Sequence, residues 1–76
     1  MTTVEAVTDV LEAWKPGVEL HGYEIHELVL DRLRAHGETK RPLDATVLRR
    51  VREREQRYHI RTVHPDRSLY VKEARA

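Results

Sequence analysis

Residues 44–55, DATVLRRVRERE, place Arg49, Arg50, Arg52 and Arg54 within twelve positions. Guanidinium groups at this density suit planar, bidentate hydrogen bonding to phosphate oxygens or to the O6 and N7 atoms of guanine. At helical spacing, Val47, Leu48 and Val51 form a narrow apolar stripe about 100° wide. Thr46, Arg49, Arg50 and Glu53 stand at i, i+3, i+4 and i+7 and form one outer row facing away from it. Each good arginine–guanine pair discriminates against the wrong base by about 1–3 kcal/mol, so Arg49 and Arg50 are the expected base-reading residues. Glu53 has two available roles: accepting from a cytosine amine, or holding Arg49 or Arg50 through an i, i+3 or i, i+4 pair. Ala45 and Thr46 are small enough to let the backbone approach a duplex. Arg52 and Arg54 fall on the flanks, where phosphates or intramolecular pairs are the expected partners. The opposing reading is a solvated helix laced with arginine–glutamate pairs. Against it stands the local imbalance, because seven bases (Lys40, Arg41, Arg49, Arg50, Arg52, Arg54 and Arg57) face three acids between residues 40 and 57.

Other chemistries find little support. The five histidines (His21, His26, His36, His59 and His64) include no HxxxH or HxH pair, and there is no cysteine, so no metal site is expected. The only serine, Ser68, has no nucleophile motif around it, no glycine-rich phosphate loop is present, and the carboxylates are spread along polar faces. Neither an enzyme nor a cofactor is expected, and no small-molecule substrate is evident.

The chain has 76 residues, and at that size a domain buries roughly 60% of the surface its unfolded form exposes. One domain with a modest core is therefore expected over 1–76. The lack of cysteine fits a reducing compartment. The first residues, MTTVEAVTDVLEAW, lack a basic n-region, and no run approaches a membrane span. A cytoplasmic protein without membrane contact is the expectation. The formal net charge of +1 hides a polarity along the chain. Residues 1–31 hold seven acids and one base, or −6, whereas residues 32–76 hold thirteen bases and six acids, or +7. Such asymmetry suggests that one end of the molecule meets a partner of opposite sign.

The elements that must carry these residues can be read from periodicity. Thr2 and Glu5 have capping-box spacing, and Val4, Val7, Leu11 and Trp14 form a stripe behind them, so a helix is predicted over about 3–14, ended by Pro16-Gly17. VELH (18–21) alternates briefly as a short strand. Ile25, Leu28, Val29 and Leu33 share a face of a second helix over about 22–35, with Gly37 at the C′ position. Asp44 is the expected N-cap of a third helix over about 44–56. YHIRTV and SLYVKE then make a β-hairpin over about 58–73, turned by HPDR, with Tyr58 and Tyr70 in the sheet core. An isolated hairpin is marginal, and the strand at 18–20 is available as its third member.

This α+β order resembles the winged helix-turn-helix superfamily of DNA-binding domains. The resemblance spans essentially the whole chain and rests on LHGYEIHELV entering helix two, LDATVLRRVRE forming helix three and YHIRTVHPDRSLYVKE as the wing. It is similar to the small stand-alone members of prokaryotes and their phages. The resemblance implies that helix three enters the major groove of double-stranded DNA, helix two crosses the backbone, and the wing tip touches phosphate or the minor groove. A transcriptional regulator, working as a homodimer or beside a neighbour, is the function implied. Tyr23, Lys40, Arg41, Arg52, Arg54, Arg57, His64 and Arg67 are then the candidate backbone and wing contacts, with the N–H groups of His21, Gly22 and Tyr23 available to a phosphate. The alternative is a winged-helix interaction module whose basic face docks an acidic protein without nucleic acid.

Overall fold

The capping box expected at the amino end forms. Thr2 Oγ1 accepts from the Glu5 amide at 3.1 Å, and Glu5 Oε1 accepts from the Thr2 amide at 2.9 Å. With its first amides satisfied, the chain enters α1, Thr3–Ala13. In the computed structural model, which describes residues 1–74, this helix opens a mixed α+β architecture. It continues through β1 (Glu19–His21), α2 (Gly22–Ala35), α3 (Asp44–Arg52), a single turn α4 (Glu55–Tyr58), β2 (Ile60–His64), a 3-10 turn (Pro65–Arg67) and β3 (Leu69–Lys72). The strands form one antiparallel sheet in the order β1-β3-β2, so the short first strand does complete the hairpin. Leu20 stands opposite Tyr70 and Thr62 opposite Tyr70 on the other side, with an irregularity at Val63.

The core is built from one face of each of the three longer helices. Ala6, Val7, Val10 and Leu11 of α1 meet Ile25, Val29 and Leu33 of α2 and Val47 and Val51 of α3, and Trp14, Ile60 and Tyr70 close it against the sheet. Trp14 is a core residue whose indole N–H donates to the Val18 carbonyl at 2.7 Å, which satisfies its polar atom under cover. Val4 and Leu28, assigned to apolar stripes from spacing alone, lie at the rims of those stripes and are 36% and 37% exposed. Gly37 (φ 73°) ends α2 in a Schellman motif, with its amide bonded to the Arg34 carbonyl and that of Glu38 to the Leu33 carbonyl. The far end of α1 is capped by a distant cation: Lys72 Nζ donates to the Leu11 carbonyl at 2.6 Å.

Three expectations are corrected. The third helix stops at Arg52 instead of running to residue 56. Its buried stripe is Val47 and Val51, and a continuous helix would carry Arg54 and Glu55 onto that same stripe. Arg54 instead leaves helical geometry (φ −117°, ψ 6°), and α4 restarts beyond it. Asp44 occupies the first turn and makes no side-chain cap; Leu43 sits at the cap position, so only the charge of Asp44 serves the helix end. The hairpin is shorter than 58–73. Tyr58 belongs to α4, where it is half-buried and donates to Glu12 Oε1 at 3.2 Å, and His59 in the left-handed region (φ 58°) turns the chain into β2. Tyr70, in contrast, is in the sheet core as expected.

Candidate nucleic-acid interface

The start of α2 holds α3 and the hairpin together. The Gly22 amide donates to the Ser68 carbonyl at 2.7 Å, and His21 Nδ1 lies 3.1 Å from the Arg67 carbonyl. Gly22 is also pressed to both neighbours by its Cα: a Cβ built there would stand 3.1 Å from Leu48 Cδ1 on α3 and 3.4 Å from Ser68 Cβ. At the opposite end of the contact, His26 Nε2 lies 2.8 Å from the Pro42 carbonyl, which fixes the entry to α3. The first turn of α2, the Leu48 side of α3 and the hairpin tip therefore adjoin one another.

On α3 the exposed residues are Asp44, Ala45, Arg49 and Arg52, with Glu53 exposed just past its end, while Thr46 and Arg50 are half-buried. Ala45, Arg49 and Arg52 follow one another at i, i+4 and i+7 and, with Leu48, line a shallow depression. This row adjoins the Leu48 side of the helix and hence the start of α2. Neither Arg49 nor Arg52 forms an ion pair among the described residues. The row inferred from spacing alone, Thr46, Arg49, Arg50 and Glu53, is thus rotated: Arg52 takes the exposed place given to Arg50.

Arg50 is occupied. Its Nη1 donates to both carboxylate oxygens of Glu53, at 2.9 and 3.0 Å. Arg54 Nη1 approaches the same carboxylate at 3.3 Å and donates to the Arg50 carbonyl at 2.9 Å, covering one of the open carbonyls at the end of α3. The Arg50 hydrogen bonds hold the Glu53 carboxyl below the usual carboxylate range, with Arg54 adding to the effect. Of the two roles open to Glu53 in the sequence, holding an arginine is the one it performs here.

The flanking candidates divide by position. Tyr23 is 65% exposed and stacks on His21 with ring centroids 5.3 Å apart, beside the hairpin tip. Arg67 and His64 are exposed at that tip, where Pro65–Arg67 forms the 3-10 turn and Ser68 takes a left-handed conformation. Lys40 and Arg41 are exposed in the loop between α2 and α3 and share a surface depression with Arg34. Arg57 lies elsewhere: its guanidinium sits 5.7 Å from the Tyr58 ring centroid, in a cleft with Glu12 and Lys72 at the end of α1. The structure does not bring Arg57 to the α3 face. The amides expected to await a phosphate are also partly used, since that of His21 donates to Glu24 Oε1 at 2.9 Å and that of Gly22 to Ser68.

The polarity of charge along the chain is offset in space only at a few pairs. Asp9 pairs with Arg32 at 2.8 Å and Asp31 with Arg34 at 3.5 Å, each joining an acid of the first segment to a base of the second, whereas the amino terminus meets Glu38 at 3.0 Å in a pair of the opposite sense. Glu5 and Glu24 serve helix starts, and Glu12 receives Tyr58. A local excess of cations remains on α3, where Arg49 and Arg52 form no ion pair among the described residues.

No described helix is long and apolar enough to cross a membrane. No protein-family model, curated protein or solved structure matches this chain.

Proposed function

We propose that the chain is a winged helix-turn-helix protein that binds double-stranded DNA in a sequence-specific manner, as a small transcriptional regulator. In this reading α3 enters the major groove, with Arg49 and Arg52 at the base edges. Tyr23 and the loop residues Lys40 and Arg41 meet phosphates, and the hairpin serves as the wing, carrying Arg67 and His64 to the backbone. The observation that carries the reading is the convergence of exposed cations on α3, without acidic partners among the described residues, with the α2 start and the hairpin tip, three elements joined through Gly22. The element order and the β1-β3-β2 sheet support it. One domain of this size makes few base contacts, so useful specificity calls for two copies on a divided site.

The test is selection from a randomised duplex pool at about 150 mM salt, where sequence-independent phosphate attraction is moderated. Enrichment of one motif is expected, and a palindromic motif assigns a homodimer. Arg49→Ala and Arg52→Ala should each relax preference at a defined base pair by about 1–3 kcal/mol, and Arg67→Ala should weaken all duplexes alike. Recovery of no motif would overturn the reading and turn attention to an acidic protein as the partner of the same face.

A further inference from the structure

The arginines of α3 and its exit are not equivalent, and Glu53 makes the difference. Its carboxylate receives Arg50 on both oxygens and Arg54 on one, and Arg54 is in turn anchored to the Arg50 carbonyl. The arrangement is partly sheltered, with side-chain exposures of 36% for Arg50, 46% for Glu53 and 24% for Arg54. Arg49, one turn before Glu53, and Arg52, next to it in the chain, are exposed and have no such partner among the described residues.

Resting on the DNA-binding reading above, we propose that Glu53 is a specificity-determining residue: it withdraws Arg50 and Arg54 from the phosphate backbone, leaving base-directed contact to Arg49 and Arg52. The physical logic is a balance of two kinds of binding. A free arginine beside a duplex gains affinity for every sequence by displacing condensed counterions, and that gain carries no base information. Two more such contacts would raise binding to all competing sites and compress the ratio that specificity depends on. A carboxylate placed on the same helix cancels the gain locally without altering the two arginines that face the groove. A carboxylate at the carboxyl end of a helix is otherwise unfavourable, because it meets the negative end of the helix dipole. The paired guanidinium groups offset that penalty, and their hydrogen bonds hold the Glu53 carboxyl below the usual carboxylate range.

The experiment compares wild type, Glu53→Gln, Arg50→Ala and the double variant by titration of a selected duplex and a scrambled duplex across about 50–200 mM salt. Each phosphate contact adds about 0.9 to the slope of log affinity against log salt. Glu53→Gln should steepen the slope on scrambled duplex by about 1–2 and tighten low-salt binding about 3- to 10-fold, lowering the ratio of selected to scrambled affinity. Adding Arg50→Ala to Glu53→Gln should recover part of the slope, by about 1, a larger change than Arg50→Ala causes in wild type. Circular dichroism melts of each variant, with Glu53→Ala carried in parallel, establish that folded proteins are compared. Unchanged slope and ratio in folded Glu53→Gln and Glu53→Ala would overturn the proposal. So would a steeper slope with undiminished discrimination, because the released arginines would then be reading bases. Should wild type itself bind no duplex, the DNA-binding reading fails first, and the inference falls with it.

Discussion

Gly22 offers the sharpest test of how the candidate interface is assembled. It is the first residue of α2, and its backbone is in ordinary helical territory, so a side chain meets no conformational strain there. What a side chain meets is space already taken: Leu48 Cδ1 at 3.1 Å and Ser68 Cβ at 3.4 Å from the position of a Cβ. In Gly22→Ala the single methyl presses on the far end of a flexible, half-buried leucine, which has to yield by only a few tenths of an ångström. Alanine also favours a helix over glycine by up to about 1 kcal/mol, so the two effects nearly cancel and stability should stay within about 1 kcal/mol of wild type. Gly22→Val adds two further carbons against both neighbours. Overpacking of that kind costs about 1–3 kcal/mol. For a domain of this size each 1 kcal/mol moves the melting temperature by about 4–8 °C, so a fall on the order of 5–20 °C is expected. Thermal melts followed at 222 nm, together with urea titration, measure both variants directly. The valine variant should also lose duplex affinity at temperatures where it remains folded, because the added side chain presses on both Leu48 and Ser68 and displaces α3 and the hairpin tip from the start of α2. A valine variant that melts with wild type would refute the reasoning, since the α2–α3–hairpin junction would then be loose and the three surfaces would not be held in one arrangement.

Lys72→Met removes the cation from the α1 carbonyls while keeping the aliphatic stem, and should cost about 1–2 kcal/mol in a urea titration. An unchanged midpoint would mean that water caps the Leu11 carbonyl equally well. Glu5 gives a pH signature: the hydrogen bond from the Thr2 amide, with the Thr2 side chain adding, holds its carboxyl below the ordinary value of 4.5. A depressed carboxyl contributes stability that is present above its unfolded value and lost as pH falls through the folded one. Melts should therefore show part of the acid loss of stability below about pH 4.5, and Glu5→Gln should flatten that part of the profile. Tyr23→Phe keeps the stack on His21 and removes only the hydroxyl, so it should leave the melt unchanged and weaken duplex binding by about 1 kcal/mol, near fivefold. Equal affinity in the phenylalanine variant would remove Tyr23 from the contact set.

Local rules carried most of the fold. The Thr2–Glu5 spacing specified the start of α1, and Gly37 specified the end of α2, because a capping box and a left-handed C′ residue act within a few positions of themselves. The strands were legible through their alternation and their turn residues, and the third strand through the marginal stability of a hairpin left alone. The density of arginine in 44–55 was likewise visible in the sequence. What periodicity could not supply was the azimuth of α3 and the place where it ends. Both depend on contacts distant in sequence: Leu48 turns toward Gly22, which brings Arg52 outward in place of Arg50, and a longer helix would have driven Arg54 and Glu55 into the buried stripe. The same holds for charge. The sequence separates −6 from +7, yet Asp9 finds Arg32, because α1 and α2 pack side by side and the chain returns upon itself. Composition determined that this protein carries an excess of arginine around α3; only packing decided which of those arginines are bound to Glu53 and which are left facing solvent, since hydrogen-bonding distance is a property of the folded chain.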